Sequence, residues 1–275
     1  MTRTRTAARS ARPHTRRAPS ARRAAALCLI LVLAPALAAR HAHRAAAAQD
    51  ATALTPLQLE IEKQRARLAS SEQEERRDAA QRLGALGRAD ASRVASAALR
   101  DPSVVVRATA ARAVVSLGPE DAAALLLPLL RDKDEFVRRE TAYALGLARS
   151  RTAVAGLVEA LARDKEAGVR GAAAVALGQI GDASAVAALA ETLNQAGARP
   201  GFFARVTRRA REENEFVLRA SAVALGQLGS REAAPALVAA LGNERAADDV
   251  RREAARALGL IGDPSADPAV RAALT

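Results

Sequence analysis

Three aspartates, Asp101, Asp132 and Asp164, each stand six residues ahead of an arginine: Arg107, Arg138 and Arg170. A carboxylate and a guanidinium at fixed spacing can act in proton transfer or clamp an anion. The spacing recurs, however. A reaction needs its groups once, whereas a contact tying each copy of a unit to the next is needed at every joint. Asp101, Arg107, Asp132, Arg138, Asp164 and Arg170 are therefore read as a structural ladder. The glycines of the nearby Ala-Leu-Gly phrases lack the strand, loop and lysine of a phosphate-binding loop. They are read as architecture, placed where a helix ends.

The groups best suited to catalysis are confined to the first 48 residues. His14, His41, His43 and Cys28 all lie there, and the rest of the chain has no histidine, cysteine or tryptophan and one tyrosine, Tyr143. No Ser/His/Asp triad, cysteine nucleophile, zinc site or histidine-iron site can be assembled from what remains. The expectation is a protein that is not an enzyme, with no catalytic residue, no cofactor and no metal. The acid clusters Asp132/Asp134/Glu135 and Asp248/Asp249 are read as helix caps and solvated charge.

Charge is distributed just as unevenly. The formal net charge is +12, but residues 1–48 hold ten arginines and no acid, leaving 32 basic against 30 acidic residues, a net +2, for the remainder. That balance is a poor match to a nucleic-acid groove, and no nucleic acid is expected as a partner. The leader itself has an arginine-studded start, an apolar run over 24–39 and small-residue cleavage candidates at Ala36-Leu37-Ala38 and Ala46-Ala47-Ala48. It reads as a secretory signal, the 16-residue run being short for a membrane span. The expected location is periplasmic or extracellular, with no stable membrane span after cleavage. The alternatives are anchoring by residues 24–39 and an organellar transit peptide.

One further segment carries possible chemistry. Residues 195–210, QAGARPGFFARVTRRA, hold Arg199, Phe202, Phe203, Arg205, Arg208 and Arg209. Arginine and aromatic side chains are enriched at protein contact sites, so these six are the candidate partner-binding residues. The competing reading packs Phe202, Phe203, Val206 and Ala210 on the body as one face of an extra helix.

The elements that must position these residues are legible from a recurring phrase. RRDAAQRLGALGR from Arg76, RATAARAVVSLGP from Arg107, RRETAYALGLARS from Arg138, RGAAAVALGQIGD from Arg170, LRASAVALGQLGS from Leu218 and RREAARALGLIGD from Arg251 are six copies of it. Their first-glycine positions, 84, 115 (a valine), 146, 178, 226 and 259, are separated by 31, 31, 32, 48 and 33 residues. A period in this range is the mark of a solenoid, and 195–210 is the insertion that stretches one step. Each unit resolves into two helices. Val250, Ala254, Ala257, Leu258 and Ile261 share one helix face, as do Val154, Leu157, Val158 and Leu161. Gly181-Asp182 and Gly262-Asp263-Pro264 supply a left-handed C-cap and the start of the next helix. Thr55-Pro56-Leu57-Gln58 starts a capping helix that runs through Leu57, Ile61 and Leu68.

These motifs resemble HEAT repeats, specifically the short bacterial form called PBS-lyase HEAT-like repeats, over residues 72–275. The resemblance implies an all-α, right-handed α-solenoid of about six helix pairs with an N-terminal capping helix. The expected organisation is 1–48 leader, 49–71 linker and capping helix, and 72–275 repeat domain with the insertion at 195–210. Three departures stand out: Leu218 replaces the arginine in the fifth unit, Arg245 stands where the sixth unit's acid belongs, and Glu75 replaces a valine in the first. For function, the resemblance implies a non-enzymatic scaffold or adaptor that binds another protein. Its groove would be lined by the second helix of each unit, with Arg93, Glu159, Glu191 and Glu232 as contact residues. Two alternatives come with the resemblance: a bilin-lyase-like enzyme or lyase subunit, and a HEAT-like nucleic-acid-binding protein. The deoxyhypusine hydroxylase branch needs His-Glu iron ligands, which the body lacks.

Overall fold

The computed structural model describes residues 54–194 and 208–264, together with Pro268 and Arg271. The chain divides into two compact units, Met1–Leu57 and Gln58–Thr275. The second holds every helix below, apart from the two residues that open α1. The leader lies outside the described residues, as do residues 195–207 of the insertion.

Among the described residues there are twelve α-helices. They are α1 (Pro56–Arg67), α2 (Gln73–Ala85), α3 (Ala89–Ala95), α4 (Val104–Ala113), α5 (Pro119–Leu126), α6 (Glu135–Ala148), α7 (Val154–Arg163), α8 (Ala167–Ile180), α9 (Val186–Asn194), α10 (Arg208–Leu228), α11 (Ala234–Leu241) and α12 (Asp248–Ile261). No strand occurs among them. None is long and apolar enough to cross a membrane. The even-numbered helices carry the repeated phrase and pack each against the next, forming one rank from α2 to α12. The odd-numbered helices α3 to α11 form the second rank, α3 packing mainly on α2 and each of the others on the even-numbered helix that follows it. The result is an α-solenoid, with α1 standing before the first pair.

Local chemistry explains where the helices start and stop. Asp134 caps α6 by accepting the Phe136 amide at 2.9 Å. Pro119 opens α5, where a missing N–H costs nothing. Pro128, by contrast, cannot bond back, and α5 gives way to a 3-10 turn over Leu127–Arg131. Helices α8 and α12 end on Gly181 and Gly262, both with positive φ. Helix α6 ends on Arg149 in the same left-handed conformation, φ 55°, which an L side chain adopts at a cost.

Gly87, Gly181, Gly229 and Gly262, the second glycines of four phrases, follow helix ends with positive φ. The first glycines, expected at the same place, lie inside their helices, and Gly84, Gly146, Gly178 and Gly226 have a packing role. A Cβ on Gly146 would sit 2.7 Å from Ala176 Cα, one on Gly178 2.9 Å from Ala224 Cα, and one on Gly84 2.9 Å from Ala113 Cα. The even-numbered helices therefore meet backbone to backbone, which only glycine against alanine allows. The core fills the space between the two ranks. Leu83, Leu126, Leu145, Leu157, Leu177, Leu189, Leu225 and Leu237 are fully buried there. Each such leucine contributes about 1.5–3 kcal/mol relative to exposure, and no single pair of helices could cover them alone.

Candidate functional site

The arginine–aspartate series makes one repeated construction. Arg107 donates from Nε and Nη2 to the two carboxylate oxygens of Asp132, at 2.8 and 3.0 Å. Its Nη1 donates to the backbone carbonyls of Asp101 and Pro102. Arg138 repeats this with Asp164 and with the carbonyls of Asp132 and Lys133. Arg76 does so with Asp101 and the carbonyls of Ser70 and Ser71. Within a unit, then, it is the aspartate's carbonyl that meets the arginine six residues on. Its carboxylate belongs to the arginine of the unit before.

Burial alone would raise these carboxyls. The hydrogen bonds of the arginines outweigh it, together with the amides of Ser103, Asp134 and Glu166 and the neighbouring positive charges. Asp101, Asp132 and Asp164 are all held below the ordinary carboxylate range. Four of the five N–H donors on each of Arg76, Arg107 and Arg138 are directed within the solenoid, so the ladder is committed to holding the units together.

Among the described residues the ladder has three such rungs. Arg170 donates only to the carbonyls of Asp164 and Lys165 among the described residues, and residues 194–197 contain no acid. At the following joint the expected position Arg245 is displaced. Asn243, not Arg245, has the ladder residue's geometry: its side-chain oxygen accepts the amide two residues on, as those of Asp101, Asp132 and Asp164 do. The turn before α12 is two residues longer than its counterparts, and this hid the match. Asn243 follows Leu218 by 25 residues, the separation of Arg107 from Asp132.

The insertion candidates divide. Arg199, Phe202, Phe203 and Arg205 lie outside the described residues. Arg208 and Arg209 lie on the first turn of α10, which at 21 residues is longer than α8 and α12 at 14 each. The groove residues Arg93, Glu159 and Glu232 lie on the odd-numbered rank, in or beside its helices, and are exposed; Glu191 on α9 is as well. Their rank, however, is not the inner one. On it Gly156 faces the side-chain ends of Leu127 and Leu130, whereas on the even-numbered rank glycine and alanine backbones touch. A stack bends toward the rank whose members are closer, so the even-numbered helices line the inside of the curve. On this packing argument the first helix of each unit, rather than the second, lines the groove.

The inner rank carries what the sequence reading missed. Phe136 on α6 and Phe216 on α10 each have an arginine three residues on. The guanidinium carbons of Arg139 and Arg219 lie 5.1 and 6.0 Å from the respective ring centroids, a cation–π arrangement. Val105, Leu147 and Leu260 are exposed on the same rank, and Tyr143 is half-buried. Burial pushes the Tyr143 hydroxyl up, with Arg139 opposing and Glu140 adding to the shift. An open cleft of about 590 Å³ runs over α2, α4 and α6, between Gln81, Val105, Arg112, Phe136 and Glu140. The available signal was positional. At the position of Phe136 and Phe216 the other units place Glu74, Val105, Gly168 and Asp249, and at that of Tyr143 they place Gln81, Arg112, Val175, Val223 and Arg256, while Phe136, Tyr143 and Phe216 are three of the body's five aromatic residues. No group of three His, Cys, Asp or Glu side chains among the described residues is placed to hold a metal.

Paired helices stacked in two ranks and tied by arginine–aspartate rungs define an α-solenoid repeat protein. HEAT repeats match residues 61–146, 125–200 and 203–275, and the chain belongs to that family. No curated protein sequence matches the chain. Among solved structures it is similar to the complex of CpcE and CpcF of phycocyanin lyase from Nostoc sp. PCC7120, with 27% identity over 79% of this chain and 80% of that one and a TM-score of 0.49. It is also similar to human deoxyhypusine hydroxylase in complex with glycerol, at 23% identity, 78% and 89% coverage and a TM-score of 0.40. A designed armadillo repeat protein in complex with the peptide (KR)4 has 18% identity, 73% and 99% coverage and a TM-score of 0.46.

Proposed function

We propose that this chain is a non-enzymatic scaffold that binds another protein along its inner rank, after export to the cell envelope. The observation that carries the reading is the contrast within the even-numbered helices. Their buried faces repeat from unit to unit, as stacking requires, whereas their exposed faces differ and hold most of the described aromatic residues. Side chains freed from the stacking constraint are the ones that can be fitted to a partner. Export is supported by the leader's composition.

A photo-crosslinking residue placed at Phe136 or Val175, and as a control at Glu159, tests the contact face in the full chain within cells. Adducts from the two inner positions and none from the outer one are expected. Adducts from Glu159 alone would overturn the inner-face assignment. For export, N-terminal sequencing of the purified native protein should start after Ala38, Ala39 or Ala48. A start within residues 1–23, or recovery with the cytosol, would overturn that part.

A further inference from the structure

The arginines of this protein fall into two structural classes. Those of the ladder are engaged within the fold: Arg76, Arg107 and Arg138 each make four hydrogen bonds. Arg112, Arg139 and Arg219 on the inner rank make none among the described residues, and their side chains are 69%, 39% and 45% exposed. Their nearest carboxylates stand off beyond hydrogen-bonding reach. Glu140 lies 3.6 Å from Arg112 and 3.7 Å from Arg139, and Asp249 lies 3.8 Å from Arg219.

Two of these three are held in a particular way. A guanidinium drawn to the face of a ring keeps its in-plane N–H groups, the ones that grip a carboxylate with two parallel bonds. Arg139 over Phe136 and Arg219 over Phe216 are so placed. Between them lies unit four, whose corresponding positions are Gly168, Gly171, Ala172 and Val175. Arg139 Cδ lies 3.7 Å from where a Gly168 Cβ would be, and the Phe216 ring occupies the place of a Gly171 side chain. Arg139 and Phe216 thus lean from either side onto the glycine face of α8, which has no side chain of its own there to rise above them.

Taking the inner rank as the contact face, we propose that it binds an extended peptide segment bearing two carboxylates, one at Arg139 and one at Arg219. The spacing follows from the fold. Helices α6, α8 and α10 are successive neighbours, and two steps of about 8–10 Å make roughly 16–20 Å. An extended chain advances about 3.3 Å per residue, so the two acids are about five or six residues apart. Val105 and Leu147, 37% and 55% exposed, offer apolar contacts to the residues beside them.

A displayed library of random peptides, selected on the full chain and in parallel on Arg139→Gln/Arg219→Gln, tests this. Both side chains are exposed, so the variant should melt with the parent. Selected peptides should carry Asp or Glu at that spacing and bind the variant at least tenfold more weakly. Glu140→Gln, which removes the competing carboxylate, should tighten binding. Selection of basic or uncharged peptides that still need the inner rank, judged by loss on Phe136→Ala, overturns the acidic partner and leaves the scaffold reading standing. Selected peptides that bind parent and both variants alike overturn both assignments to this face. A short single-stranded DNA bound more tightly than any selected peptide overturns the proposal in favour of a phosphate ligand.

Discussion

At the scale of single residues the economy of the ladder rests on one aspartate doing three things. Asp132 neutralises Arg107, caps the turn by accepting the Asp134 amide, and offers its own carbonyl to Arg138. The Arg107–Asp132 pair is almost buried, so Asp132→Ala would leave a guanidinium with two carbonyls and no counter-ion. A loss of about 3 kcal/mol in denaturant unfolding is expected, more than an exposed pair is worth. The same rungs set a pH limit. A folded-state carboxyl held below its unfolded value binds protons less readily than the unfolded chain does. Its stabilisation is therefore complete above the unfolded pKa, about 4, and is lost as pH falls through the lower folded value. Melting temperature should be flat from pH 7 to 5 and fall below about 4, and Asp132→Asn should flatten that fall. An acid limb as steep in the variant as in the parent would show that other carboxyls carry it. The spacing of Asp and Arg was legible in the sequence because it recurs. The identity of Asn243 was not, because two extra turn residues shift it out of register and only the amide it caps reveals the match.

At the scale of the element, the periodicity of apolar residues was enough to place every repeated helix. The rank that lines the inside of the curve was not, since both helices of a pair are amphipathic. What decides it is a contact between backbones, and sequence shows this only as glycine inside a helix, where propensity alone disfavours it. The role of each such glycine can be read by adding a methyl group. Gly178→Ala pushes Cβ into the Ala224 backbone and should cost about 1–3 kcal/mol as the joint is forced apart. Gly259 sits at the same phrase position on α12 with nothing within 4 Å among the described residues, so Gly259→Ala should instead stabilise by about 0.5–1 kcal/mol. Thermal melts of the two variants should move in opposite directions. Equal shifts would mean that propensity rather than close approach selects the glycines. The insertion before α10 poses a similar choice. Changing Phe202 and Phe203 together to Ala should weaken partner binding with melting unchanged if they contact a partner. If they anchor a helix on the solenoid, the same change should cost a few kcal/mol of stability and spare binding.

At the scale of the whole molecule, the ladder divides the described solenoid into unequal parts. Joints one to three are each cross-linked by a bidentate ion pair, and among the described residues joints four and five show none. In a stacked array stability is close to a sum over units and their interfaces, so a weaker interface becomes the place where the array opens first. The last joint has replaced arginine and acid together, by Leu218 and Asn243. Leu218 is buried, and losing both partners avoids leaving one charge stranded. Hydrogen exchange should therefore report α10 to α12 opening at lower free energy than α4 to α8, with the boundary near α9. End fraying alone would also favour early exchange at the C-terminus, so the argument needs a variant that repairs the rung. Leu218→Arg alone buries an unpaired guanidinium, and Asn243→Asp alone adds a carboxylate with no arginine opposite, so both should destabilise. The double variant recreates the 25-residue pairing of Arg107 with Asp132, and a favourable coupling of about 1–3 kcal/mol is expected in the cycle. Exchange in α12 should slow in the double variant relative to either single one. Strictly additive effects would mean that Asn243 does not face position 218, and the asymmetry of the solenoid would have to be traced to its end rather than to its missing rungs.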